Sequence, residues 1–130
     1  MNTNPSIPIS WGELIDKVTI LEIKSERLTS KPALENVRRE LGKLAGIADA
    51  AQNLEPKLAP LRADLKRINE TLWQIEDDIR AKEAERTFDQ DFVALARAVY
   101  HNNDRRGVLK QQINALLKSD IVEEKQYSQY

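Results

Sequence analysis

The sequence predicts an all-α fold: an elongated antiparallel up-down bundle of four long helices with coiled-coil-like packing. Three observations carry this. Apolar residues recur at three- and four-residue spacing through most of the chain, without sustained period-two alternation or an Asn-Gly or Asp-Gly hairpin turn. Prolines and Ser/Thr/Asp positions fall between the periodic segments, where helices stop and start. The composition agrees, with 32% charged residues, 5% aromatics and four glycines in 130 positions. A chain of that length is read as one domain, residues 1–130.

Met1 to Ile9 contains Pro5 and Pro8 and reads as an extended arm. Ser10-Trp11-Gly12-Glu13 has the form of a capping box, Ser10 as N-cap and Glu13 reaching back to its backbone N–H. Leu14, Val18, Leu21, Ser25 and Leu28 follow, and Ile15, Ile20 and Ile23 widen the stripe. The first helix (about 11–29) is therefore expected to touch more than one neighbour. Pro32 suits the first turn of a second helix, whose stripe is Leu34, Val37, Leu41, Leu44, Ala48 and Ala51. The alanines permit close approach at its far end. Pro56 and Pro60 bracket the next connection. The third helix, to about 86, carries Leu61, Leu65, Ile68, Leu72, Ile75 and Ile79 in heptad spacing.

Thr87-Phe88-Asp89-Gln90 reads as a second capping box, opening a fourth helix to about 118. Its stripe begins with Phe92, Leu95 and Val99 and resumes with Leu109, Ile113 and Leu116, leaving Asn102 and Arg106 at the intervening positions. The segment 119–130 is polar and expected to be loosely held, with Ile121 and Val122 able to dock.

Several function classes are disfavoured. Lys and Arg number 20 against 21 Asp and Glu, so no net field attracts nucleic acid or an anionic membrane. With no cysteine, thiolate catalysis, disulfides and Cys-based metal centres are excluded. No membrane span or secretory signal is legible, and a cytoplasmic location is the expectation. His101 is the only histidine and has no Glu three residues before it, which argues against a di-iron bundle and a hydrolase triad. No cofactor is expected.

What remains is a polar run, Tyr100 to Arg106, inside an amphipathic helix, beside a polar stripe of Asn69, Trp73, Glu76, Arg80 and Glu83 on the helix before it. Polar groups near a core must find partners, so the two patches predict either a structural polar layer or a site. Aligning the helices by height places Glu76 and Asp77 level with Arg97, Trp73 with His101, and Asn69 with Arg105. The same alignment brings Lys17 near Asn69, and Glu22 and Lys24 near Glu76. The acidic 76–85 segment is expected to face the basic 97–110 segment. The candidate residues are Lys17, Glu22, Lys24, Asn69, Trp73, Glu76, Arg80, Arg97, Tyr100, Asn103, Asp104 and Arg105. Arg97 and Arg105 would hold an anion, Glu76 and Asp104 would orient them, and Trp73 or Tyr100 would offer a stacking wall.

Ile7 to Lys24, Asn69 to Arg80 and Phe92 to Arg106, with Ile121-Val122-Glu123-Glu124-Lys125, together resemble a bacterial family of short all-helical proteins with no established activity. The resemblance implies members that sometimes sit next to, or are joined with, glycosyltransferases or tetratricopeptide segments. The resemblance implies an accessory role in surface-glycan biosynthesis and brings no functional residues with it. The leading expectation is a non-enzymatic module that binds a partner protein or a small anionic ligand. A cofactor-free enzyme is the alternative, since Leu61 to Ile68 is similar to the opening helix of helical chorismate mutases. A structural bundle completed as a homodimer is the third.

Overall fold

The computed structural model describes residues 3–130. It contains α1 (Trp11–Arg27), α2 (Lys31–Leu54), α3 (Leu58–Ala84) and α4 (Gln90–Leu116), with no strand among the described residues. The all-α bundle expected from the hydrophobic periodicity is the fold observed. Of the N-terminal arm, Met1 and Asn2 lie outside the described residues, and Thr3 to Ile9 are non-helical and exposed.

Each helix begins where local chemistry places it. Ser10 has extended backbone angles, and its Oγ accepts the Glu13 N–H at 3.1 Å. That satisfies one of the amides the first turn leaves without a helical partner. The other half of the expected capping box does not form, because Glu13 turns to Lys110 of α4 at 2.9 Å. Pro32 sits in the first turn of α2. In α4 the cap is Asp89 rather than Thr87, so the helix opens two residues later than its sequence suggests. Asp89 accepts the Phe92 N–H at 3.0 Å and Lys82 lies 3.1 Å away. A carboxylate here both caps the helix and meets its positive pole.

α3 and α4 end alike. Arg86 and Lys118 follow them with φ of 54° and 56°, left-handed without being glycine. The Thr87 N–H then returns to the Lys82 carbonyl at 3.0 Å, and the Ser119 N–H to Asn114 at 2.9 Å. Such closures satisfy terminal carbonyls and usually place glycine at the left-handed position.

The main core lies where all four helices meet at one end. Leu14, Ile15 and Val18 of α1 pack there with Ala48 and Ala51 of α2, Leu58 and Leu65 of α3, and Ile113 of α4. The two alanines are buried, as the close approach at the far end of α2 requires. α1 is the hub: its backbone runs close to the other three helices, whereas α2 approaches α3 only briefly and reaches α4 through side chains of the shared core. Its partners on α4 fall from Asn114 to Arg106 as α1 runs from Gly12 to Asp16, so these two helices are antiparallel. Beyond the end of α1, the far half of the α3–α4 hairpin buries Ile75 and otherwise has half-buried and exposed residues, with Phe88 and Val93 open to solvent.

Candidate functional site: a groove beside a buried ion pair

α1 carries a carboxylate within its buried face. Asp16 has Ile20 and Ile23 four and seven residues on, and its side chain is 2% exposed. A carboxylate in such a place requires a countercharge and hydrogen-bond donors. Arg106 of α4 donates from Nε to Asp16 Oδ1 at 2.9 Å and from Nη2 to Oδ2. Asn69 of α3 donates from Nδ2 to the same Oδ1 at 2.9 Å and to Thr19 Oγ1 at 3.0 Å. The Thr19 hydroxyl donates to the Asp16 carbonyl at 2.8 Å. One carboxylate thus ties three helices together. Its hydrogen bonds raise the Arg106 pKa above the ordinary arginine value against the opposing effect of burial.

A second ion pair lies one turn nearer the core. Lys110, its side chain 9% exposed, donates to Glu13 at 2.9 Å and to Glu123 at 2.7 Å. Burial pulls its pKa down, but the bonds to Glu123 and Glu13 outweigh that and leave it above the usual lysine value. Gly12 makes the approach of α1 and α4 possible, since a Cβ there would lie 2.5 Å from the Lys110 carbonyl oxygen. The Gly12 N–H donates to Asn114 Oδ1 at 2.6 Å and the Trp11 N–H to Ser119 Oγ at 2.8 Å. The end of α4 therefore satisfies the free amides at the start of α1. Among the described residues no buried side-chain nitrogen or oxygen lacks a partner.

Beside this lock, an open groove of about 520 Å³ runs between α1, α3 and α4. Ile20, Ile23, Leu72 and Val99 form its apolar side, with Trp73. Asn69, Glu76, Asp77, Arg80, Asn103 and Arg106 form its polar side. Arg80 donates to Glu76 at 3.0 Å, and the Arg27 guanidinium lies 6.0 Å from the Trp73 ring centre.

Five of the residues singled out from sequence meet here: Asn69, Trp73, Glu76, Arg80 and Asn103. The others lie elsewhere. Lys17 pairs with Glu40 at 2.8 Å and Glu22 with Arg62 at 3.7 Å, while Lys24 has no ion pair among the described residues. Arg97 is exposed, and Arg105 borders a separate hollow with Arg67 and Gln112. Tyr100 and Asp104 lie under the C-terminal segment, where Tyr130 donates its hydroxyl to Asp104. The expected pairing of an acidic α3 with a basic α4 does not form among the described residues. Arg106 and Lys110 turn to the carboxylates of α1, and the α3–α4 pair observed, Lys82 with Asp89 and Asp91, has the opposite polarity.

At the level of Asn69 the residues that meet are one position from those expected, Asp16 rather than Lys17 and Arg106 rather than Arg105, whereas Glu22, expected level with Glu76, pairs with Arg62 instead. One residue is about 100° around a helix, enough to change the facing neighbour. Asp16, Thr19, Glu13, Arg106, Lys110 and Glu123 were outside the candidate set. A legible signal existed for Asp16, a charge whose i+4 and i+7 positions are both isoleucine.

No group of three or more His, Cys, Asp and Glu side chains placed to hold a metal occurs among the described residues. Among the described residues no helix is long and apolar enough to cross a membrane.

Fold and site define a class: an all-α four-helix bundle with a three-helix polar lock and an open groove at its side. Residues 6–130 match the model of a family of unknown function, DUF6165, and the chain belongs to that family. No curated protein and no solved structure matches it.

Proposed function

We propose that this chain is a non-enzymatic binding or accessory module whose ligand occupies the groove between α1, α3 and α4. The observation that carries this reading is the contrast between lock and groove. Among the described residues every buried side-chain nitrogen and oxygen is partnered, as a structural layer requires. Next to them an open groove combines an apolar wall and an indole with Asn103, the Glu76–Arg80 pair, Asp77 and the edge of Arg106. Pockets of this composition bind a flat or apolar face and orient it through a few polar groups. The ligand that fits has such a face and an acceptor-rich or anionic group. A sugar nucleotide has both, in keeping with the resemblance to bacterial proteins linked to surface-glycan biosynthesis. The enzyme alternative needs Glu76 as acid–base in a dry pocket, whereas Glu76 is exposed and engaged with Arg80.

UDP-glucose tests the reading by thermal shift. It is expected to raise the melting temperature of the wild type and of Arg97→Ala, whose residue is outside the groove, but not of Trp73→Ala. No shift in the wild type, or an undiminished shift in Trp73→Ala, would overturn the assignment. A homodimer through the outer face of α2 is the second reading, favoured by the exposure of Ile47 and Leu54. Light scattering showing a monomer at high concentration removes it.

A further inference from the structure

The α3–α4 hairpin has two sides, and α1 covers one of them. It reaches α3 through Arg62, Lys66, Asn69 and Glu70. The opposite side holds two open hollows between the helices. Asp78, Lys82, Glu85, Asp91, Ala94 and Leu95 border the one near the turn. Arg67, Ile68, Arg105, Val108, Leu109 and Gln112 border the one nearer the core. Ile68, Leu95 and Leu109 are only half-buried and Val108 is exposed, so an apolar strip lies between α3 and α4 with no helix of the described residues over it.

The charges on this side are sorted by height. At the turn end Asp78, Glu85 and Asp91 outnumber Lys82. At the core end Arg67 and Arg105 outnumber Asp64. Glu85 and Arg105 form no salt bridge among the described residues, and Asp91, its side chain 84% exposed, is 3.9 Å from Lys82. Arg67 and Glu85 lie equally far along α3 from Glu76, and about five full turns apart, so they point the same way. Asp91 and Arg105 lie equally far along α4 from Ala98, about four turns apart. Asp78 and Leu95 border one hollow and Ile68 and Arg105 the other, a register that sets Glu76 and Ala98 at about one height.

A two-fold axis crossing the hairpin at that height lays a second copy antiparallel on the first, α3 on α3 and α4 on α4. Glu85 of each copy then comes opposite Arg67 of the other, and Asp91 opposite Arg105. On α4 the axis passes at Ala98, whose small side chain lets the two helices approach. We propose that this side of the hairpin is the interface of a homodimer. The second copy covers the apolar strip, and the sorted charges fix the antiparallel register, since a parallel pairing sets acid on acid. From Asp91 to Gln112 α4 runs about 32 Å, so with α3 beside it the face approaches the roughly 800 Å² that each partner of a stable dimer buries. The groove opens on the α1 side, so the proposal does not depend on the ligand reading, and it uses no residue of α2.

Sedimentation equilibrium of the wild type, Arg105→Glu, Asp91→Arg and an equimolar mixture of the two variants tests the interface. The wild type is expected to dimerise. Each variant meets its own copy with like charges at two places and is expected to dimerise about tenfold more weakly. In the mixture each variant supplies the charge the other lacks, so the wild-type dissociation constant returns. A wild type that stays monomeric at millimolar concentration overturns the interface. So does an undiminished dimer of either variant, or a mixture no tighter than the variants alone. If circular dichroism shows that one of the two does not fold, Arg67→Glu and Glu85→Arg, alone and mixed, make the same comparison.

Discussion

Arg105 and Arg106 are adjacent in sequence and about 100° apart around α4. Arg106 neutralises a carboxylate that is 2% exposed, whereas Arg105 lies on the surface. Removing one member of a buried pair leaves the other uncompensated, at a cost of about 3–5 kcal/mol. Because Arg106 is itself partly exposed, Arg106→Met is expected near the lower end, about 3 kcal/mol, in urea unfolding. Arg105→Met should stay within about 0.5 kcal/mol, as surface substitutions do. Equal effects would mean that the lock is not as described. This scale was the least legible in the sequence. Asp16 and Lys17 are both charged residues in an amphipathic helix, and which of them faces inward depends on how α1 rotates between three neighbours. Hydrophobic spacing of one helix does not report that rotation, although Ile20 and Ile23 beyond Asp16 hinted at it.

Helix boundaries show the same mixture. Ser10 was legible as a cap because its hydroxyl precedes a clean periodic stripe. Asp89 was not, since Thr87 also starts a Thr-x-x-Gln pattern and the choice rests on Lys82 and the Phe88–Phe92 ring contact at 5.2 Å. The left-handed ends at Arg86 and Lys118 carry no glycine to announce them. A side chain in that conformation costs about 1–2 kcal/mol, partly offset in glycine by its greater freedom when unfolded. Arg86→Gly and Lys118→Gly should therefore each stabilise by about 0.5–1 kcal/mol, read from denaturation midpoints. A loss of stability in both would contradict the helix ends described.

The clasp between α4 and the C-terminal segment also belongs to this scale, and it has a pH window. Glu123 titrates below its ordinary 4.5 when docked, so its contribution is complete above that value and disappears as pH falls through the lowered pKa. Lys110 titrates above its ordinary 10.5, so its contribution is complete below that value and is lost as pH rises through the raised one. Resonances of residues 120–130 should thus hold docked positions between those limits and move toward random-coil values at acid pH. Their remaining docked well below pH 4.5 would show that the Tyr130 contacts, not the ion pair, hold the segment.

At the scale of the molecule, the four-helix bundle was legible because its signal is repetitive: each stripe spans several turns, and Leu65, Ile75 and Ile113 lie buried where the spacing put them. The hub role of α1 was legible in part, from a stripe too wide for one partner. Less legible was that the core gathers at one end, leaving the outer α3–α4 hairpin thinly covered, because helix length does not tell which neighbours extend alongside. Where α1 stops short of that hairpin, its Ile20 and Ile23 face Leu72, Trp73 and Val99 across the groove. The fold thus keeps its polar groups paired at the centre and an open, mixed surface at the edge. A ¹⁵N,¹H titration of the full chain with UDP-glucose tests that division most directly. Shifts confined to Ile20, Ile23, Asn103 and the Trp73 indole are the result expected; no shifts, or shifts centred on Arg97 and Arg105, would contradict it.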